Sequence, residues 1–263
     1  MSDFMSSVLQ GILQGMTEYL PVSSSGHLVI FQHVFGGMKQ SLAFDLLLHL
    51  ATVLSTLIYF RRDILSLLAE FFRGFASSRD ERGEGWFFGW AVLFGSVPTA
   101  VIGLLLKDSV EAAGQSLVFV GSALFVTGAV LFLTSLLPQG RKKICVTIGI
   151  VVGIAQGLAV FPGISRSGMT LAAGILCGLS AAEAFRFSFL LSLPAVTGAA
   201  LLELSEGIQA AELPQGWAAG GAAAFLSGIA ALYLLRRFVL RGKWRAFALY
   251  CAAAGLLTLV FLR

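Results

Sequence analysis

Charge is what this sequence has least of. Only 12% of its 263 residues are Asp, Glu, Lys or Arg, against 57% apolar residues and a mean hydropathy of +0.87. A soluble domain carries about 25% charged residues, so this chain could not cover a water-facing surface, and a soluble globule is excluded. Cysteine is scarce too. Cys145, Cys177 and Cys251 stand singly in the sequence, which excludes a disulfide framework or a zinc site built on paired thiols. The net charge of +4 comes from 18 basic and 14 acidic residues with no basic stretch that reads nucleic acid, so no nucleic-acid partner is expected. The opening MSDFMSSVLQGILQG has no basic n-region and no small-residue cleavage site, and is not read as a removable signal peptide.

Long apolar runs, by contrast, are abundant. A bilayer core of about 30 Å needs roughly 20 apolar residues per helix. Six stretches, approximately 42–60, 87–106, 117–137, 185–204, 217–235 and 246–262, meet that length with few charges. Two further apolar regions, 4–34 and 144–181, are broken at their centres by LPVSSSGH and FPGISRSG. The pieces on either side are too short to cross, so each region reads as a re-entrant helical hairpin whose irregular centre faces the protein interior. The two regions resemble each other at an offset of 142: Gln14-Gly15 and Ser25-Gly26 correspond to Gln156-Gly157 and Ser167-Gly168. The expected fold is therefore an all-α integral membrane protein with six transmembrane helices plus two re-entrant hairpins. It forms a single membrane domain of two inverted repeats, approximately 1–137 and 138–263. This threading puts 14 basic residues on one side and three, Lys39, Lys107 and Arg263, on the other. The positive-inside rule makes the first side cytoplasmic, with both termini and the first hairpin's mouth outside.

Glu18 and Arg166 are the charges least expected at their depth. Burying either costs about 2.5–3.5 kcal/mol on the mildest insertion scales, and such residues mark functional sites. An isolated structural ion pair would account for both charges, but not for the polar residues around them. Gln14 and Glu18 share one helical face, a spacing that suits a general base or metal ligand with an amide beside it. Ser23, Ser24, Ser25, Gly26 and His27 follow at the break. Across the repeat, Pro162 to Gly168 leads into a helix N-terminus, where free N–H groups and Arg166 make an anion site. Phosphate is the natural occupant.

The segments QGMTEYLPVSSSGH and PGISRSGMT, with FSFLLSLP at 187–194, resemble the signatures of the undecaprenyl-pyrophosphate phosphatase family, the bacitracin-resistance type of membrane phosphatase. The resemblance covers essentially the whole chain. It implies hydrolysis of undecaprenyl diphosphate to the monophosphate and inorganic phosphate at the outer face of the bacterial plasma membrane, recycling the lipid carrier for peptidoglycan synthesis. It also implies help from a divalent cation, Mg2+ or Ca2+, with Glu18 and Gln14 as ligands; the family motif takes an acid or Gln at its first position, and members with Glu there have a second carboxylate for the cation that Gln14 does not supply. From the motifs, Ser23, Ser24, Ser25, His27, Ser165, Arg166 and Ser167 carry over, with Gln14, as catalytic or phosphate-holding residues.

The nucleophile is left open between a water activated by Glu18, Ser24 activated by His27 or Glu18, and His27 itself. The favoured assignment has Glu18 as base or metal ligand and His27 as its acid/base partner. His33 and His49 read more readily as packed or interfacial residues than as ligands, His33 the more so, and Asp45 fits either the lining of the same cavity or an interfacial position. Gly149, Gly153 and Gly157, with Gly174 and Gly178, have the spacing of close helix packing. The rival function is a lipid-phosphate transporter or flippase built on the same anion site. A homodimer is compatible with the sequence, which does not require one.

Overall fold

The computed structural model describes residues 3–35, 42–138, 140–205 and 213–262. These form twelve α-helices and a short 3-10 turn, with no strand among the described residues. Lys39, Arg263 and the stretch 206–212, which the topology expectation uses, lie outside them.

The first broken region is α1 (Asp3–Tyr19) and α2 (Ser24–Phe35); the second is α8 (Val146–Leu158) and α9 (Arg166–Leu176). The helices covering the expected spans are α3 (Leu42–Tyr59), α5 (Glu84–Leu105), α7 (Leu117–Thr134), α10 (Ala181–Ser205), α11 (Trp217–Leu240) and α12 (Trp244–Phe261). Five of these are individually long and apolar enough to cross a bilayer; α3 qualifies together with the next helix, α4 (Arg61–Arg73), across a 73° bend. Sequence reading treats 61–86 as a connection, but α4 occupies its first half. Its charges Arg61, Arg62, Asp63, Glu70 and Arg73 share the helix with exposed Leu65, Leu68 and Phe72, the composition of a helix lying in a membrane interface. A second short helix, α6 (Lys107–Gly114), joins α5 to α7.

Unlike that of a soluble protein, the outer surface is rich in exposed apolar residues. Leu105 and Leu249 are 78% and 73% exposed, whereas Gln14 and Ser55 are fully buried. Apolar residues facing outward, with polar side chains kept inside beside apolar core residues such as Leu48, Leu131 and Phe187, are what a lipid solvent selects.

The packing partners exchange between halves. Helix α1 lies against α11 and α8 against α5, while α7 and α12 pair with each other. Small residues make the approach close. A Cβ on Gly11 would collide with the Gly220 backbone, and one on Gly149 or Gly153 with the backbone of Ala91 or Gly95. Hydrogen bonds reinforce these seams: Thr99 Oγ1 donates to the Gly153 carbonyl at 2.8 Å and Ser55 Oγ to that of Phe225 at 2.9 Å. Gly178 has a different task from the other glycines. At φ +94° it ends α9 in a Schellman turn, with Leu179 N–H donating to the Gly174 carbonyl and Gly178 N–H to that of Ile175.

Candidate active site

Both helix breaks are closed by a serine that caps the following helix. Ser165 Oγ accepts from Gly168 N–H at 3.1 Å, and Ser23 Oγ, at the corresponding position, accepts from Gly26 N–H at 3.3 Å. Ser23 adopts φ +70°, strained for a residue with a side chain. The conformation aims its hydroxyl across the molecule, where it also accepts from Gly163 N–H at 3.0 Å. Ser167 Oγ reciprocates by donating to the Leu20 carbonyl at 3.3 Å. Thr127 on α7 braces the second break: it donates to the Gly163 carbonyl at 2.8 Å and accepts from Ser165 N–H at 3.0 Å.

Glu18 sits at the junction, with its side chain 6% exposed. Arg166 Nη2 donates to its Oε1 in a direct ion pair. Its Oε2 accepts from Ser24 Oγ at 2.6 Å and from Gln14 Nε2 at 3.1 Å. The charge is thus compensated by one guanidinium and two neutral donors. A crevice opens beside this cluster, with Glu18, Tyr19, Thr52, Thr56, Arg166 and Ser192 as its polar lining, and Val53, Leu193 and Val196 as its apolar lining.

The family model described as bacitracin resistance protein BacA matches residues 7–257. The chain belongs to the BacA family. It is 43% identical to an undecaprenyl-diphosphatase of Desulfosudis oleivorans, over 96% of each chain. Another relative of that name, from Methanosphaera stadtmanae, is 36% identical over 99% of this chain and 98% of its own. A third, from Desulforapulum autotrophicum, is 41% identical over 96% of each.

In this BacA-family chain the residues singled out from sequence divide into two groups. Gln14, Glu18, Ser24 and Arg166 form one bonded cluster. Ser23, Ser165 and Ser167 hold the backbone of the two breaks together, and Ser25 Oγ lies 3.4 Å from that of Ser23. His27 is turned elsewhere. Its Nδ1 bonds the Ser23 carbonyl at 2.8 Å and its Nε2 the Tyr250 hydroxyl at 2.8 Å, with the two rings stacked. The histidine beside Glu18 is His49, whose Nε2 is 3.9 Å from Oε2.

Three participants escaped the sequence reading. Thr127 and Tyr250 belong to unbroken apolar spans and carry no local signal. Tyr19, whose hydroxyl donates to the Thr52 carbonyl and lies 3.0 Å from Thr56 Oγ1, is adjacent to Glu18 but reads as an ordinary apolar-span aromatic.

For a divalent cation the described residues offer no cluster of three His, Cys, Asp or Glu side chains. They do offer Gln14 Oε1, a buried oxygen with no hydrogen-bond partner among the described residues, one turn from Glu18. One carboxylate and one amide oxygen fit a cation such as Mg2+, which commonly takes few protein ligands and completes its shell with substrate phosphates and water.

Proposed function

We propose that the chain hydrolyses undecaprenyl diphosphate to undecaprenyl phosphate and inorganic phosphate. The supporting observation is the simultaneous grip of Glu18 on Ser24 and Arg166, a nucleophile-and-base pair joined to a phosphate-binding guanidinium. In this reading the arriving diphosphate competes for Arg166, which can clamp two phosphate oxygens with its planar fork. Release of the guanidinium raises the basicity of Glu18. The carboxylate then takes the Ser24 proton as Oγ attacks the terminal phosphorus, and undecaprenyl phosphate leaves. The proton held by Glu18 leaves with undecaprenyl phosphate; the carboxylate then takes a proton from the water that hydrolyses the phosphoserine and returns it to Ser24 Oγ as phosphate departs. The N-termini of α2 and α9, which begin at Ser24 and Arg166, add the positive ends of their helix dipoles near the phosphate. A divalent cation, Mg2+ or Ca2+, held by Glu18 and Gln14 together with the substrate, supplies further positive charge at the phosphate oxygens.

In this proposal His27 fixes the start of α2, at the first break, through the Ser23 carbonyl and the Tyr250 hydroxyl rather than taking protons from Ser24. The protein is one multi-pass domain of the bacterial inner membrane, with six spans, two re-entrant hairpins and inverted halves of approximately 1–137 and 138–263. Its site is accessible from the periplasmic side. The 14-to-3 division of basic residues and the exchanged packing of α1 on α11 and α8 on α5 support that arrangement. Removing the lipid diphosphate would confer the bacitracin resistance in the family's description. The alternative, a lipid-phosphate transporter or flippase, needs Arg166 and the helix N-termini but gives no use to a serine held against a buried carboxylate. Phosphate release from undecaprenyl diphosphate by the purified chain, with and without Mg2+ or Ca2+, separates the two: the transporter would release none.

A further inference from the structure

We propose that His49 is a third protein ligand of a divalent-cation site whose other two are Glu18 Oε2 and Gln14 Oε1. The inference rests on the phosphatase reading for the use of such an ion, and on the geometry for its ligands.

The tautomer of His49 is fixed by its other nitrogen. Nδ1 lies 2.8 Å from the Asp45 carbonyl oxygen, which can only accept, so Nδ1 carries a hydrogen. In the neutral ring the Nε2 lone pair faces Glu18 Oε2, 3.9 Å away. That separation is too long for a hydrogen bond. It is within reach of two atoms sharing one ion, which can be at most about 4.2 Å apart when each is about 2.1 Å from the metal. An imidazole whose remote N–H is anchored on a backbone carbonyl is also the usual arrangement of a metal-ligating histidine.

Gln14 provides an independent observation. Its Oε1 is buried with no hydrogen-bond partner among the described residues, while its Nε2 donates to Glu18 Oε2 at 3.1 Å. Turning the amide by half a rotation exchanges the two atoms. The hydrogen bond to Oε2 is lost, a lone pair on Oε2 is freed, and Oε1 comes to face Oε2. Glu18 Oε2 then has the Gln14 oxygen and the His49 nitrogen as lone-pair neighbours, with the Ser24 hydroxyl still donating to it at 2.6 Å, and a cation seated among the three relieves their mutual repulsion. The amide donates to Oε2 without the ion and offers its oxygen with it.

A nitrogen donor alters selectivity. Carboxylate and carbonyl oxygens suit Mg2+, Ca2+ and Mn2+ alike, but an added imidazole nitrogen is tolerated by a first-row transition ion such as Mn2+ and not sought by Ca2+, which takes oxygen ligands. The site is therefore expected to prefer Mn2+ to Ca2+ in direct binding.

The test titrates the full chain in detergent with Mn2+, reading free ion by electron paramagnetic resonance. Electron spin-echo envelope modulation of the bound ion then reports any directly coordinated imidazole nitrogen. The wild type should show the nitrogen modulation. His49→Gln should lose it and bind Mn2+ at least about tenfold more weakly, whereas His27→Gln should keep it. If His49→Gln does not fold, the double variant His27→Gln/His33→Gln serves instead: His49 is then the sole histidine of the original three, and the modulation must persist. Absence of nitrogen modulation in wild type at saturating Mn2+, or its survival in His49→Gln, overturns the proposal. Phosphate release without nitrogen ligation would overturn this site and leave the phosphatase reading standing. Nitrogen-ligated Mn2+ without phosphate release would do the reverse.

Discussion

Ser24 and Arg166 stand 142 residues apart, at corresponding positions of the two helix breaks, and both reach the Glu18 carboxylate, Ser24 through Oε2 and Arg166 through Oε1. The repeat has thus kept one backbone framework, Ser23 with Ser25 in one half and Ser165 with Ser167 in the other, while diverging at the residue between. One half supplies a hydroxyl and the other a cation. Glu18 has no acidic counterpart, since the offset falls on Val160, so the site is built asymmetrically on a nearly symmetric scaffold.

Arg166→Lys keeps the charge but not the fork. A lysine ammonium cannot span two phosphate oxygens, and losing one preorganised donor to a developing charge costs on the order of 10²–10³ in turnover. Steady-state phosphate release by the folded variant should fall by roughly that factor. Near-normal turnover would reduce Arg166 to a counter-charge for Glu18.

Gln14→Glu places a second carboxylate one turn from Glu18 and should tighten apparent cation affinity while preserving hydrolysis at saturating metal. A cation titration of activity at fixed pH measures both. An inactive, well-folded variant would instead assign Gln14 a donor role that a carboxylate cannot fill, since its Nε2 now bonds Glu18.

The threading of the chain predicts that Asp80→Cys and Gln215→Cys, each on a background lacking the three native cysteines, react with a membrane-impermeant thiol reagent from opposite sides. Labelling of both from one side would dismantle the inverted-repeat arrangement.

At the α5–α8 seam, Gly149→Leu forces a side chain into the Ala91 backbone. Overpacking of this kind costs about 1–3 kcal/mol or more, and should appear as a lower melting temperature in detergent with fewer chains recovered folded. An unchanged melting curve would mean that the helices do not approach as closely as described.

Much of this architecture is legible in the sequence, because proline, glycine and serine interrupting apolar runs have few structural meanings at membrane depth. Helix breaks fall at LPVS and FPGIS as the sequence indicates. Helix ends are less legible: α11 continues past the apolar stretch through Arg236 and Arg237 to Leu240, since arginine is a good helix former and a helix need not stop at the interface. Helix α4 was missed because its mixed charge lowers the hydropathy that marks the spans. Within the site, Glu18 and Arg166 announce themselves as charges in the wrong solvent. The approach of His49 to Glu18 depends on how α3 packs against α1, which no local pattern encodes. The commitment of His27 to Tyr250 likewise depends on α12, more than two hundred residues downstream.

The central claim is that Glu18 drives the chemistry instead of merely pairing with Arg166. Glu18→Gln keeps the size and hydrogen-bonding capacity of the side chain and removes its basicity and charge. Measured side by side on purified wild type and Glu18→Gln, phosphate release from undecaprenyl diphosphate should fall by about 10²–10⁴ in the variant, the range for loss of a general base, while binding of the lipid diphosphate stays measurable. A Glu18→Gln protein that releases phosphate at the wild-type rate would contradict the account.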